Sequence, residues 1–375
     1  MRVMIVVTHL LGTGHLARAL TLGRAFADAG HRVMVLSGGL PVPHFETVGL
    51  QLEQLAPLRS DGTDFTTLLD AQGAQAGPAY RAARIATALD RFHSFAPDVL
   101  ITELFPFGRR NLRDEFMALL DAATAKRTVI LSSVRDILAP PSKPAKVAFA
   151  DDMVQRYYRG VLVHADRDIV TLDQSWPVSD TLAPYLNYTG FVAPPAPAGA
   201  SERNDTILVS AGGGAVGDTI YDTALASAVR HPDTTWHLLV GGEDMRRNAL
   251  AARAPQNVVV DAPRPDFRNL LMHVGASVSM CGYNTALDLL QTGVPAVIIP
   301  FDDGNEVEQG LRAAALAQQP GITVVRQDAL IPDTLMSALH AVRQEERTPR
   351  RIGMTGAAEA VRITGKLWGR NHGQP

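Results

Sequence analysis

Residues 278–312 read VSMCGYNTALDLLQTGVPAVIIPFDDGNEVEQGLR, short apolar runs broken by glycine turns. Ala276 to Met280 predicts a short apolar strand and Cys281-Gly282-Tyr283 a turn. Asn284 can cap the following helix by accepting a backbone N–H. Gly293 can close that helix in a left-handed conformation, and Pro295 stops it from continuing. Ala296 to Pro300 is continuously apolar, as a strand inside a parallel sheet is. Asp288 falls in the helix among Leu287, Leu289 and Leu290. An acid soon after a glycine turn, near strand ends, can accept two hydrogen bonds from a ribose diol. Glu308-Gln309 opens a further helix, where anions and sugar hydroxyls could meet exposed N–H groups.

The same grammar governs the rest of the chain. Arg2 to Thr8 predicts a first strand, His9 to Gly14 a glycine-bearing loop, His15 to Ala29 a helix and Arg32 to Ser37 a second strand. This is a βαβ unit with parallel strands. Gly12-Thr13-Gly14-His15-Leu16-Ala17 partly matches the dinucleotide fingerprint, which raises a dehydrogenase. That fingerprint wants an acid after the second strand, where this chain has Ser37-Gly38-Gly39, so NAD is not the favoured ligand. His15 stands at a helix N-terminus, which disfavours imidazolium and suits a general base. The bland alternative is a loop-bonding His15, and His9 in the same loop is read that way.

Leu50 to Leu55 predicts a strand, residues 60–77 a loop carrying a helix, and Tyr80 to Phe95 an amphipathic helix. Asp98 to Glu103 predicts the clearest strand after the first. It ends in Glu103, with Leu104-Phe105-Pro106-Phe107-Gly108-Arg109-Arg110 behind it. Glu103 with Arg109 or Arg110 reads either as acceptor binding and proton relay, with arginine steering an anion, or as a structural salt bridge. Arg127 to Ser133 and Val161 to His164 predict further strands, with Asp136 and His164 at their ends; Tyr188 to Val192 closes this half. His164 reads more readily as a satisfied hydrogen-bonding residue.

Ala193-Pro194-Pro195-Ala196-Pro197-Ala198-Gly199-Ala200 reads as a semi-rigid linker. The pattern restarts with a strand at Thr206 to Ser210, a loop Ala211-Gly212-Gly213-Gly214 and a helix from Asp218 to Val229. No Walker lysine follows the loop, which argues against a P-loop ATPase. Its glycines let backbone N–H groups approach a diphosphate. Trp236 to Val240 and Val258 to Val260 are further strands, Asp266 starts a helix, and Gly353 to Trp368 forms a terminal one. The expected division is 1–192, a linker 193–205, 206–352 and a terminal helix 353–375.

The chain has 375 residues, 46% hydrophobic and 19% charged, the profile of a globular protein with ample core. A net charge of −3 gives no global field for nucleic acid. The single cysteine, Cys281, allows no intrachain disulfide and fits a reducing compartment. It reads as a small residue in a tight turn, since no base stands beside it. MRVMIVV is too short to span a bilayer and reads as a strand, so a cytoplasmic protein without a transmembrane segment is expected, compatible with peripheral membrane contact.

Gly282-Tyr283-Asn284-Thr285, Asp288, Gly293-Val294-Pro295, Glu308-Gln309 and Arg312 resemble the nucleotide-sugar-binding half of glycosyltransferase family 28. The likeness is to a branch of bacterial glycosyltransferases that also carries a Thr-Glu-x-Phe-Pro-Phe-Gly-Arg-Arg signature, here Thr102 to Arg110. The family usually has Glu at the place of Asp288. The resemblance covers most of the chain and implies an α/β protein of the GT-B architecture, two Rossmann-like domains with parallel sheets facing across a cleft. It implies transfer of a sugar from a nucleotide-diphosphate sugar, with a UDP-sugar expected, to an unidentified acceptor hydroxyl. His15 would be the base and Glu103 a second catalytic residue. Gly14, Ser210, Gly212, Gly213, Gly214, Arg264, Gly282, Tyr283, Asn284, Thr285, Asp288, Glu308 and Gln309 would hold the donor, and Arg109, Arg110 and Asp136 the acceptor. Inversion without a metal or other cofactor is expected, Asp302-Asp303 being the one reservation. A nucleotide-sugar hydrolase or epimerase and a non-catalytic nucleotide-sugar binder remain as alternatives.

Overall fold

Strands buried on both faces need apolar side chains at every position, and β1 (Arg2–Val7) has them: Val3 to Val7 are all fully buried. The computed structural model describes residues 1–10, 12–43, 45–60, 67–197, 202–212, 216–302 and 306–371. They form two units, Met1–Pro194 with Thr355–Pro375, and Pro195–Met354.

In the first unit β1 leads through α1 (Gly14–Asp28) to β2 (Arg32–Ser37) and β3 (Gln51–Gln54). Then follow α2 (Pro78–Phe95), β4 (Val99–Glu103), α3 (Arg113–Ala125), β5 (Val129–Arg135), α4 (Pro144–Tyr157), β6 (Gly160–His164) and β7 (Leu186–Tyr188). The named strands pair in parallel, in the order β3-β2-β1-β4-β5-β6-β7. Strand order therefore reverses direction between β1 and β4, the point where open α/β sheets bind ligands beyond their strand ends.

The second unit repeats the plan. It runs β8 (Ile207–Ser210), α5 (Asp218–Arg230), β9 (Trp236–Leu239), α6 (Asp244–Ala251), β10 (Val258–Asp261), α7 (Phe267–His273), β11 (Ala276–Ser279), α8 (Tyr283–Thr292), β12 (Ala296–Ile298), α9 (Glu308–Leu316), β13 (Ile322–Val324) and α10 (Pro332–Gln344). The parallel order is β10-β9-β8-β11-β12-β13, with the reversal between β8 and β11. The last helix, α11 (Gly356–Asn371), belongs to the first unit, where Ala360 and Ile363 join the core of β1 and α1. Among the described residues no helix is long and apolar enough to cross a membrane.

The two parallel Rossmann-like sheets are those the glycine turns predict; several details differ. The described part of 60–77 holds no helix but antiparallel bridges, Arg59 to Leu69 and Leu69 to Gln75. The strand predicted at 188–192 lies at Leu186–Tyr188, because Gly190 turns at a φ of 78° and Val192 then bridges antiparallel to Thr355. Asn284 does not cap α8: Gly282 holds the N-cap with extended backbone, and Asn284 already lies within the first turn. Gly293 does close that helix, at a φ of 62°.

Candidate active site

Two loops meet at the reversal point of the first sheet. Glu103 is the last residue of β4 and 1% exposed. His15 is the second residue of α1, and its Nδ1 lies 2.8 Å from Glu103 Oε1. A carboxylate only accepts, so Nδ1 carries the proton and Nε2 is left as a base. Arg18, one turn along α1, reaches the same Oε1 from a side chain that is 3% exposed. Glu103 Oε2 is buried without a hydrogen-bond partner among the described residues.

Burial would raise the Glu103 carboxyl, but His15, Arg18 and Arg109 hold it well below the carboxylate range. Burial lowers His15 to about 4, and the Glu103 charge opposes this only in part. At neutral pH the imidazole is therefore uncharged and the carboxylate ionised, and the two guanidinium groups sustain that charge. The side chain of His15 keeps 15% exposure, so its ring is not sealed from a substrate.

The loop after β4 is built to hold this geometry. Leu104 takes a φ of 67°, a costly conformation for a branched side chain, and Gly108 is needed because a Cβ there would lie 2.7 Å from the Leu104 side chain. Phe105 stacks on Phe116 at 4.6 Å between ring centroids, and Phe107 meets Trp176 edge-on at 5.3 Å. The Phe105 carbonyl accepts from Thr102 Oγ1 at 3.0 Å and Ser132 Oγ at 2.8 Å.

The neighbouring candidates separate. Arg109 Nε donates to the Thr8 carbonyl at 2.7 Å, joining this loop to the end of β1. Arg110 is half-buried and donates to the Phe107 carbonyl. Asp136 is buried and offers a ligand little surface. His164 is buried between Ser133 Oγ at 2.8 Å and Thr189 Oγ1 at 2.9 Å, a satisfied core histidine lowered to about 3 by burial. Burial also lowers His9.

In the second unit Ser210 ends β8 and its Oγ lies 3.3 Å from the Gly212 N–H. Gly212 has a φ of 83°, and a Cβ there would meet nothing within 4 Å. Gly213, Gly214 and Asp303 lie outside the described residues. The Tyr221 hydroxyl anchors the loop: it donates to the Leu239 carbonyl at 2.7 Å and accepts from the Ala211 N–H at 3.0 Å. Gly14 likewise stands before open space in the first unit.

Gly282, Tyr283, Asn284 and Thr285 form the start of α8 at the β11 end, beside buried Cys281. Gln309 Oε1 accepts from the Cys281 N–H at 2.9 Å and the Phe301 N–H at 3.2 Å, so this oxygen ties two strand ends together. Arg312 donates to the Cys281 carbonyl at 3.0 Å and lies under the Tyr283 ring. Glu306 Oε1 caps α9 by accepting from the Glu308 N–H at 2.7 Å and the Gln309 N–H at 3.1 Å. Asp302 accepts from Gln327 at 2.7 Å. Arg264 is exposed and paired with Asp266 at 2.7 Å.

Asp288 faces α7. Arg268 Nε is 2.8 Å from its Oδ1, and Arg268 also contacts Gln291 and donates to the Pro195 carbonyl at 2.8 Å. Burial raises Asp288 to about 6, against the pull of Arg268. The structure thus joins His15, Glu103 and Arg109, and separately Tyr283, Gln309 and Arg312, while it turns Asp288 to a basic neighbour. Sequence reading missed Arg18, Glu306 and Arg268. Arg18 had a signal: three residues after His15, it shares its helix face.

Residues 268–361 match the glycosyltransferase family 28 C-terminal domain. The chain is 29% identical over 161 residues to the UDP-N-acetylglucosamine--N-acetylmuramyl-(pentapeptide) pyrophosphoryl-undecaprenol N-acetylglucosamine transferase of Brucella anthropi, covering 41% of this chain and 42% of that protein. It thus spans less than half the length of that curated relative. An uncharacterized glycosyltransferase of Methanosarcina acetivorans is 21% identical, with 96% of this chain and 93% of that one covered. The crystal structure of CalG4, the calicheamicin glycosyltransferase, superposes with a TM-score of 0.65 at 17% identity over 99% of both chains. The chain accordingly has the GT-B fold, and its residues 268–361 are similar to the C-terminal domain of glycosyltransferase family 28.

Proposed function

We propose that the protein transfers a sugar from a nucleotide-diphosphate sugar to an acceptor hydroxyl. The observation that carries this is the His15–Glu103 pair at the β1–β4 reversal. His15 Nε2 takes the proton of the acceptor hydroxyl as its oxygen attacks the anomeric carbon. The bond from that carbon to the diphosphate breaks, the diphosphate leaves with the electron pair, and the sugar is inverted. The proton stays on an imidazolium that ionised Glu103 stabilises. A UDP-sugar is the donor we favour, as in the name of the Brucella relative.

The second unit holds the donor in this reading. Backbone N–H groups from Ser210 to Gly212 and the N-termini of α8 and α9 stabilise the leaving diphosphate. Asp288 takes the ribose, Glu308 and the Gln309 amide the sugar hydroxyls, and the stretch at Arg264 the base. Arg110 is the acceptor-side arginine, and the reaction is assigned to the cytoplasm.

The test combines binding and turnover. A UDP-sugar is expected to raise the melting temperature. With an acceptor found by screening, His15→Gln should lower kcat/KM by about 10²–10⁴-fold and leave the UDP-induced shift unchanged. The reading fails if no nucleotide stabilises the protein, or if His15→Gln turns over like the wild type.

A further inference from the structure

The first unit contains a cavity of about 250 Å³ beside the loop that leads into α1 and His15. Leu10, Leu40, Val42 and Leu58, with two prolines, give it apolar walls. His9 and Thr13, which bracket that loop, also line it, and Thr13 is the N-cap of α1. Thr8, next to His9 in the chain, accepts from Arg109 through its carbonyl at 2.7 Å, so the cavity borders the loop that follows Glu103.

Backbone bonds between the loops after β1, β2 and β3 build the cavity in advance. Ser60 N–H donates to the Leu10 carbonyl at 2.8 Å, and Leu58 N–H to the Gly38 carbonyl at 2.9 Å. Buried Arg84 donates to the Gly38 carbonyl at 3.1 Å. Gly39 is packed so tightly that a Cβ would lie 2.3 Å from the His9 carbonyl oxygen. Such a frame fits a preformed small-molecule site.

Arg59 is the one ionised side chain among the described residues lining the cavity. Its Nε is buried with no hydrogen-bond acceptor among the described residues. Arg59 itself is half-buried, and a guanidinium set beside apolar walls is the group with which an anionic oxygen pairs. The volume lies below the roughly 300–1,000 Å³ of ordinary ligand sites, which suits one or two fused rings and excludes a long lipid chain.

We infer that this cavity receives a ring-sized apolar group of the acceptor and that Arg59 pairs with an anionic oxygen carried on that group. Calling the occupant an acceptor rests on the transferase reading; the binding chemistry does not.

The test titrates the full-length protein with 2-naphthoate and, in parallel, with uncharged 2-naphthalenemethanol, followed by calorimetry. Saturable one-to-one binding of naphthoate is expected, about tenfold tighter than that of the alcohol, the scale of one charge-assisted hydrogen bond. Arg59→Gln should abolish the difference by weakening naphthoate alone. Leu40→Glu, at a side chain already 38% exposed, should repel naphthoate without a folding cost. The inference is overturned if neither probe saturates, if both bind equally, or if naphthoate binding survives both substitutions. The UDP-sugar melting shift reads the transferase proposal independently. Arg59-dependent naphthoate binding without a nucleotide response would sink that proposal and keep this one; the reverse pattern would do the opposite. With both intact, 6-hydroxy-2-naphthoate should accept sugar, and Arg59→Gln should raise its KM while leaving kcat.

Discussion

At the scale of single residues, Arg18 matters because of what it does to its neighbour. It shares Glu103 Oε1 with His15 and keeps the carboxylate charged at a position with 1% exposure. Arg18→Met leaves that buried charge with less compensation, so a loss of about 3–5 kcal/mol is expected in denaturant unfolding. The same change lets the uncompensated carboxylate pull a proton onto His15. The acid limb of kcat/KM, expected near pH 4 in the wild type, should therefore move upward, and Arg18→Lys should return it most of the way. A merely structural arginine would lower stability without moving that limb. Burial also holds His15 and His164 at about 4 and about 3, below the ordinary 6.5. The folded chain then binds fewer protons than the unfolded one in this window. Their contribution is complete above pH 6.5 and is lost as pH falls toward 3. Melting temperature should fall across that range, and His164→Gln should flatten the slope.

At the scale of elements, the loops that frame the site depend on a buried bidentate pair, Arg84 Nε and Nη2 to Glu115 at 2.9 and 3.0 Å. It joins α2 to α3, and Arg84 also fixes the Gly38 carbonyl after β2. A Cβ at Gly38 would fall 2.3 Å from Thr8 Oγ1 and 2.6 Å from the Arg84 guanidinium. Gly38→Ala should therefore cost about 1–3 kcal/mol by overpacking, measured by urea unfolding. On α8, Asp288 is raised to about 6, so it is ionised above that pH and protonated below. If it holds a ribose, UDP affinity should weaken as pH falls through 6, and Asp288→Asn should erase that dependence. The elements themselves were largely legible, because apolar runs, glycine turns and helix stops are local signals; Gly293 is the clearest. The pairs were not. Arg84 and Glu115 look like ordinary helix-surface residues in sequence, and Arg268 lies on a different helix from Asp288. Nothing local announces that a fold will bury such charges against each other. His15 and Glu103 were readable singly, each from its place after a strand, but not as a contact across 88 residues.

At the scale of the molecule, two parallel sheets with the same reversal of strand order place both glycine loops at corresponding sheet edges. The first sheet is closed by sequence that returns from beyond the second. Gly356 N–H donates to the Phe191 carbonyl at 2.9 Å, and a Cβ at Gly356 would lie 2.3 Å from the Gly190 carbonyl oxygen. Deleting 355–375 should expose the Val3–Leu20 core face that Ala360 and Ile363 cover. Limited proteolysis should then cut the first unit first while the second stays intact. The same return has a consequence during translation. A nascent chain cannot finish its first unit until the residues after 354 have left the ribosome, a delay on the order of ten seconds at about 5–20 residues per second. Until then the half-built sheet sits on the ribosome with an uncovered oily flank, a target for chaperones in every round of synthesis.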